Sequence, residues 1–221
     1  PEKISAQLPI TEVNRLFSAG MPAYLRMPLP AARGTVRNGP TTPGSADPRE
    51  AANAALIEAE ALRQKELANI EADVSGVLAN LIRSNAVHVQ KQGDAVQVQI
   101  NSDILFSSGV AEPAPAAVPV LQRLADSLKP WPNGVRVEGH TDDVPIRSGA
   151  FHSNWELSAA RAGSVVRLFA ERGVDPQRLA VVGYGQYRPL QANSTATGRN
   201  ANRRVVVIIL GRSRSGERTG P

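Results

Sequence analysis

The chain has 221 residues, a formal net charge of +5 and no cysteine, and 42% of its residues are hydrophobic. This length allows one domain with extensions, and the lack of cysteine excludes disulfides, a thiol nucleophile and thiolate zinc sites. The longest apolar run, at 205–210, has six residues, whereas a membrane-spanning helix needs about 20. The first residue is Pro1 and no signal-peptide order follows it, which predicts a fragment or processed product.

The basic excess lies at the two ends of the chain. Residues 1–50 carry six Lys/Arg and four Asp/Glu, and residues 211–221 carry three Arg and one Glu. Between them, 16 basic and 15 acidic side chains interleave, so no continuous basic stripe is available to neutralise a row of phosphates. We therefore expect no nucleic-acid partner.

The first part of the chain is predicted to be a flexible linker over 1–50. It holds eight of the 17 prolines and four glycines, with too few periodic apolar residues to offset the entropy of ordering. Good helix formers follow and predict a connecting helix over 51–84. One face of this helix carries an apolar stripe, which could pack against the chain's own sheet or pair with a second copy of the chain. The stripe spans only two heptads, which is too short to decide between the two. The stripe consists of Leu67, Ile70, Val74, Val77 and Leu81.

An α/β domain is predicted over 85–211, before a disordered basic tail at 212–221. Alternating apolar residues on both sides of Gln92-Gly93-Asp94 predict a hairpin. The order of the later elements predicts a two-layer α/β sandwich, a mixed sheet with helices on one face. Those elements are a helix at 114–128, a strand at 134–139, a helix at 153–172, and strands at 179–182 and 205–210.

Three catalytic or metal-binding interpretations fit the sequence poorly. His140 and the two carboxylates after it share one short loop, without the additional spaced ligands that a metal site needs. Asp142 and Asp143 are adjacent, and adjacent side chains usually point apart, which does not suit an acid/base pair. The glycines at 183–185 lack the third glycine and the helix of a dinucleotide site. We expect no metal, no cofactor, no catalytic residue and no enzyme activity.

A polar helix face beside the same loop is the strongest candidate for a binding site. One face of the helix at 153–172 presents an amide, an apolar group, a hydroxyl and a guanidinium, from Asn154, Leu157, Ser158 and Arg161. If Arg161 lies across from Asp142, the two can hold a small zwitterion, with the ammonium on the carboxylate and the carboxylate on the guanidinium. A mutual salt bridge between Asp142 and Arg161 is the alternative that spacing alone favours.

Three segments occur in an order that is typical of one family. Together with the preceding Ile104-Leu105-Phe106-x-x-Gly109 they span about residues 95–210, and they resemble the OmpA-like peptidoglycan-binding domain. The sequences of residues 142–146 and 153–158 are further similar to those of the flagellar stator proteins of the MotB and MotD type. The three segments are Val137-Glu138-Gly139-His140-Thr141-Asp142, Asn154-x-x-Leu157-Ser158-x-x-Arg161-Ala162-x-x-Val165 and Asn202-Arg203-Arg204-Val205.

The resemblance implies a non-covalent site for the diaminopimelate-containing stem peptide of peptidoglycan. Asp142 and Arg161 match the ligand-binding Asp and Arg of the family. Positions that line the same pocket in relatives match Thr141, Asn154 and Leu157. In the third motif, the resemblance also makes Arg204 a candidate, as a residue that supports either the site or only the fold.

The stator resemblance implies a place in the cell. Stator proteins of this type carry an N-terminal transmembrane helix that bears a proton-accepting Asp and pairs with a MotA channel subunit, and no segment here matches that helix. We therefore expect the periplasmic part of an inner-membrane protein, which acts as a homodimeric, non-catalytic wall anchor for motility. The alternative is an OmpA/Pal-like envelope protein that binds peptidoglycan for envelope integrity.

Overall fold

The computed structural model describes residues 48–146 and 150–212. Most of the predicted linker and of the predicted tail lies outside these residues. In chain order the elements are α1 (Pro48–Val77), α2 (Ala79–Arg83), β1 (Val87–Gln92), β2 (Ala95–Asn101), α3 (Ser102–Leu105), α4 (Val118–Leu128), β3 (Val135–His140), α5 (Asn154–Glu171), a 3-10 turn (Pro176–Arg178), β4 (Leu179–Gly183), α6 (Ala196–Asn202) and β5 (Arg204–Leu210).

The five strands form one mixed sheet in the order β1-β2-β5-β3-β4. β1 pairs with β2, β2 with β5 and β5 with β3 in antiparallel fashion, whereas β3 and β4 are parallel. The long helix α5 makes the crossover between the two parallel strands, as such a pair requires. The prediction of a two-layer α/β sandwich with a mixed sheet is confirmed.

The core lies between one face of this sheet and the helices α1, α4 and α5. On β2, Val96, Val98 and Ile100 are fully buried, while the residues between them are partly exposed, as expected for a strand with one covered face. The middle strand β5, which pairs with β2 and β3, is buried from Val205 to Ile209. Each fully buried aliphatic side chain stabilises the fold by roughly 1.5–3 kcal/mol.

The C-terminal half of α1 belongs to the same core. Leu67, Ile70 and Val74 have no exposed surface, and α1 contacts α4, β1 and β2. The apolar stripe of this helix therefore packs against the chain's own sheet, which the spacing alone left open. The N-terminal half of α1 is exposed, including the large apolar side chains Leu56, Ile57 and Leu62.

Several helical details differ from the sequence-based expectation. The helix expected from residue 114 begins at Val118, because Ala114 and Ala117 first close a turn and a proline stands in the first helical turn. The predicted connecting helix is divided at Leu78 into α1 and α2. The short helices α3 and α6 were not predicted. Across 48–146 and 150–212, no helix combines the length and the apolar character needed to span a bilayer.

Two glycines let α5 lie directly on the parallel strands. A Cβ at Gly139, in β3, would stand 2.0 Å from the carbonyl oxygen of Ser158. A Cβ at Gly183, in β4, would stand 2.7 Å from the backbone of Ala159. Such distances forbid any side chain, so α5 approaches the sheet more closely than an ordinary helix. The N-terminus of α5 is thereby fixed beside the loop that follows β3.

Candidate functional site

A cavity of about 700 Å³ opens beside the N-terminal turns of α5. Its walls come from three parts of the chain: the segment from α3 to residue 109, the loop after β3, and α5 itself. One residue between α6 and β5 completes the lining. The lining consists of Asp103, Phe106, Ser107, Ser108, Gly109, Thr141, Asp142, Val144, Pro145, Ile146, Asn154, Leu157, Arg161 and Arg203.

The structure brings five of the six predicted site residues together in this cavity. They come from the loop after β3 and from one face of α5, as the spacing predicted, and each is at least nine-tenths buried. The sixth, Arg204, does not line this cavity. The five residues are Thr141, Asp142, Asn154, Leu157 and Arg161.

Arg161 is a buried cation with neutral hydrogen-bond partners. Its Nε donates to the carbonyl of Val110 at 2.9 Å, Nη1 to Oγ of Ser102 at 3.1 Å, and Nη2 to the carbonyl of Ser107 at 3.0 Å. The guanidinium also stands 5.2 Å from the ring centroid of Phe106. Within the described part of the chain it forms no ion pair, and two of its five N–H groups, one on each Nη, have no acceptor among these contacts.

Burial lowers the pKa of Arg161, while the carboxylate of Asp103 acts in the opposite direction. Arginine nevertheless stays charged at neutral pH, because its ordinary pKa lies far above that range. A buried guanidinium without a bonded carboxylate is costly to maintain, so the site is prepared for an anionic group.

Asp142 is paired with a different arginine from the one predicted. Its Oδ2 accepts from Nη1 of Arg203 at 2.8 Å, and its Oδ1 accepts from the backbone N–H of Val144 at 3.2 Å. The alternative of a mutual salt bridge between Asp142 and Arg161 is therefore wrong. Asp142 is only 8% exposed, and these two hydrogen bonds hold both of its carboxylate oxygens in a fixed orientation.

Arg203 and its partner Asp103 are charged residues of the cavity that sequence reasoning missed. Besides Asp142, Arg203 binds Asp103, with Nε at 3.0 Å and Nη2 at 2.7 Å from the two carboxylate oxygens. The hydrogen bond with Asp103, followed by that with Asp142, raises the pKa of Arg203 despite its partial burial. The sequence carries only a partial signal: adjacent residues at the start of a strand point to opposite sides, so Arg203 and Arg204 are not expected to enter the same cavity.

Arg204 supports the segment that leads into β5. Its Nη1 donates to the carbonyl of Asn202 at 3.2 Å, and its Nη2 to that of Arg188 at 3.0 Å. Burial lowers the pKa of Arg204 to about 10. Its side chain lines a separate cavity of about 590 Å³ beside α6. Of the two roles expected for Arg204, these contacts fit support of the fold.

The remaining predicted residues shape the cavity wall. Nδ2 of Asn154 donates to the carbonyl of Val144 at 3.0 Å and, at 3.4 Å, to that of Asp142, so α5 holds the loop after β3 in place. The Thr141 hydroxyl donates to the Asp142 carbonyl at 2.8 Å. Leu157 is 4% exposed and gives the cavity an apolar surface. These groups position Asp142 relative to Arg161.

His140 lies apart from the cavity lining. It is 4% exposed, its ring stacks on Tyr184 with centroids 5.2 Å apart, and its Nε2 stands 3.7 Å from Glu138. Burial lowers the pKa of His140, partly offset by the nearby carboxylate. Across 48–146 and 150–212, no group of three or more His, Cys, Asp or Glu side chains could hold a metal ion.

The charged groups of the lining balance one another. Two carboxylates, Asp103 and Asp142, face two guanidiniums, Arg161 and Arg203. Carboxylates only accept hydrogen bonds at neutral pH and guanidiniums only donate them. The arrangement can therefore recognise a small group that carries both an ammonium and a carboxylate.

The sheet and the charged cavity together define a two-layer α/β domain with a candidate binding site. Comparison with known proteins identifies its family. The OmpA family pattern matches residues 105–203. Motility protein B of Bacillus subtilis is 33% identical over 156 residues, which cover 69% of this chain and 59% of that protein's length. The chain therefore belongs to the OmpA family, and the predicted resemblance to its MotB-type members is confirmed.

Two solved structures agree with this placement. The cell wall anchor of the T6SS from Pseudomonas aeruginosa is 34% identical, with a TM-score of 0.60 over 63% of this chain and 97% of that one. A MotB-like protein from Desulfovibrio vulgaris is 28% identical, with a TM-score of 0.62 over 68% and 99% of the two chains. The chain is thus similar both to motility proteins and to an anchor of another machine.

Proposed function

We propose that this chain is a non-catalytic anchor that binds the diaminopimelate-containing stem peptide of peptidoglycan. One observation carries the proposal: Arg161 is a buried cation without a bonded carboxylate, in the same cavity as the fixed carboxylate of Asp142. The free end of diaminopimelate carries an ammonium and a carboxylate on one carbon. That zwitterion is the complement of the two groups.

The binding mode follows from the unused hydrogen-bonding capacity of these residues. The ligand carboxylate accepts from the Nη1 and Nη2 groups of Arg161, and its ammonium donates to the oxygens of Asp142, which retain lone pairs. Each charge-assisted hydrogen bond contributes roughly 1.5–3 kcal/mol. The cavity volume, about 700 Å³, falls within the range of ordinary ligand pockets.

We propose further that the anchor serves a flagellar stator. Its support is the similarity to Motility protein B and to the MotB-like protein, and the stator-like sequence after Asp142, where Pro145 and Ile146 line the cavity. In this role the chain is periplasmic, belongs to an inner-membrane protein that pairs with a MotA-like channel subunit, and acts as a homodimer that holds the motor to the wall.

A second role is supported by one comparison. The T6SS cell wall anchor is as similar to this chain as the motility proteins are, so the same domain serves machines other than the flagellum. The second candidate role is therefore one outside the flagellum, and we propose for it an OmpA/Pal-like role in envelope integrity. Deletion of the gene separates the two roles: loss of swimming with a normal detergent tolerance supports the stator, and detergent sensitivity with normal swimming supports the envelope role.

Wall binding itself is tested by co-sedimentation. We expect the purified chain to pellet with insoluble peptidoglycan whose stem peptides contain diaminopimelate, and free diaminopimelate to release it. Peptidoglycan with lysine at that position lacks the side-chain carboxylate and serves as the matched control. Equal pelleting with both walls, or no pelleting with either, would contradict the proposal.

A further inference from the structure

Two large aromatic side chains stack on each other at the surface of the domain. Trp155 in the first turn of α5 is 52% exposed, and Tyr187, beyond β4, is 58% exposed. Their ring centroids are 4.3 Å apart and their planes differ by 26°. The fold therefore fixes two aromatic rings in contact, although each leaves about half of its surface to solvent. We call this pair the aromatic platform.

The aromatic platform is connected to the cavity on two sides. Trp155 follows Asn154, which lines the cavity. On the other side, Gly185 packs against the backbone of Trp155, where an added Cβ would lie 3.2 Å from its nitrogen. The carbonyl of Gly185 accepts from the N–H of Thr141 at 2.9 Å, and Thr141 also lines the cavity. Trp155 is thus directly bonded to one residue of the cavity wall, Asn154, and Gly185 connects it to a second, Thr141.

Exposed aromatic faces of this kind suit a sugar ring. The face of an aromatic ring is electron-rich, and the axial C–H bonds of a pyranose, polarised by the attached oxygens, form a flat apolar face that complements it. Arg188, next to Tyr187 in sequence, is exposed, and its guanidinium lies 4.8 Å from the ring centroid of Tyr184. Its N–H groups can donate to the hydroxyls at the edge of such a sugar.

We propose that the aromatic platform binds a pyranose of the glycan strand to which the stem peptide is attached. The inference rests on the proposed function, since it extends a peptide site in the cavity to the neighbouring sugar of the same polymer. The platform therefore adds affinity for muropeptides that carry saccharide, and it orients the glycan strand relative to α5.

The size of the platform argues for a sugar over a protein partner. Trp and Tyr bury about 150–250 Å² each when fully covered, so two half-exposed rings offer roughly that area together. A stable protein interface needs about 800 Å² on each side. The two chain neighbours of Tyr187, Gln186 and Arg188, are polar.

Calorimetry with two ligands tests the proposal. The ligands are the diaminopimelate-containing tripeptide and the same tripeptide attached to its N-acetylated disaccharide. For the wild-type chain we expect the disaccharide to raise the affinity about two- to tenfold, in line with the strength of aromatic contacts. In Trp155→Ala, and in Tyr187→Ala as a second variant, the ratio of the two affinities should fall to about one. Leu62→Ala, which removes an exposed apolar side chain on α1, should keep the wild-type ratio.

Fluorescence gives an independent readout, because the chain has two tryptophans, Trp131 and Trp155. In a Trp131→Phe variant, we expect the emission of Trp155 to change with the disaccharide-tripeptide and with the peptide-free disaccharide at millimolar concentration. The same change with the tripeptide alone, or none with either saccharide, would overturn the platform proposal. Tripeptide binding without any gain from the disaccharide would overturn the platform and leave the wall anchor standing. Failure of the tripeptide to bind would overturn the anchor itself.

Discussion

Nη1 of Arg203 lies 2.8 Å from Oδ2 of Asp142, while the other two nitrogens of the same guanidinium bind Asp103. The carboxylate of Asp142 is therefore oriented, and partly neutralised, before a ligand arrives. The guanidinium of Arg161 is also held in place, but by neutral oxygens. A ligand carboxylate thus meets a cation whose charge no bonded anion offsets. We expect Arg161 to contribute more binding free energy than Asp142.

Replacement of Arg161 by alanine should weaken both binding and stability. Loss of the charge-assisted bonds should reduce the affinity for diaminopimelate-type wall at least about tenfold. The oxygens of Ser102, Ser107 and Val110 would lose their donor, and the unfolding free energy should fall by about 1–3 kcal/mol. Pelleting of folded protein and urea unfolding measure the two effects.

The control for that variant is Arg167→Ala. Arg167 lies on the same helix, but it is exposed and pairs with Glu112, so its loss should change the unfolding free energy by less than about 1 kcal/mol and leave wall binding intact. Equal loss of wall binding in the two variants would show that total charge, rather than the cavity, governs the interaction.

Replacement of Asp142 by asparagine should weaken binding by about tenfold or more, because the ligand ammonium loses its anionic acceptor. Arg203 keeps its two bonds with Asp103, so the fold should remain. The adjacent exposed carboxylate provides the control: Asp143→Asn makes the same chemical change outside the cavity lining and should bind as wild type. A titration with free diaminopimelate measures both. If the two variants bind diaminopimelate with identical affinity, Asp142 does not contact the ligand.

Replacement of Arg204 by alanine should separate fold from binding. The carbonyls of Asn202 and Arg188 would lose charged donors, and we expect the unfolding free energy to fall by about 2 kcal/mol or more. Wall binding by the folded fraction should persist, since Arg204 does not line the site cavity. Thermal unfolding and pelleting at a temperature where the variant is folded test this. If a folded Arg204→Ala variant does not bind the wall, Arg204 is part of the binding site.

The sequence predicted the sheet and the face of α5 that lines the cavity, because both depend on regular spacing. Alternation gives the buried face of a strand, and the i, i+3, i+7 spacing places Asn154, Leu157 and Arg161 on one face of a helix. Arg203 was missed because it is adjacent to Arg204 and chemically equal to it. Only the position at which β5 begins decides which one reaches the cavity. That position depends on tertiary contacts that no local pattern records.

Two glycines test how α5 positions the site. Gly139→Ala would place a Cβ 2.0 Å from the Ser158 carbonyl, so the helix must move, at a cost of about 3 kcal/mol or more. Gly163→Ala, within α5, meets nothing within 4 Å and should raise the unfolding free energy by about 0.5–1 kcal/mol. We expect the unfolding free energy, measured with urea, and the affinity for the wall to decrease together only in Gly139→Ala. Normal stability of Gly139→Ala would contradict the close approach.

The partner of the stripe on α1 could not be predicted, because periodicity marks an apolar face without saying what covers it. The structure buries Leu67, Ile70 and Val74 of this stripe in the domain core, together with Leu78, which directly follows α1. At roughly 1.5–3 kcal/mol each, these four side chains contribute about as much as the entire stability of a typical domain, 5–15 kcal/mol. The second half of α1 should therefore be indispensable for folding.

Two truncated chains test this directly. A chain that begins at residue 85 lacks all four side chains and should lose its near-UV circular dichroism and cooperative urea transition. A chain that begins at residue 63 keeps them and lacks residues 1–62, which include the part of α1 in which Leu56, Ile57 and Leu62 are exposed. It should unfold at nearly the midpoint of the full chain. If both truncated chains unfold cooperatively at the same midpoint, the helix is an attachment and not part of the core.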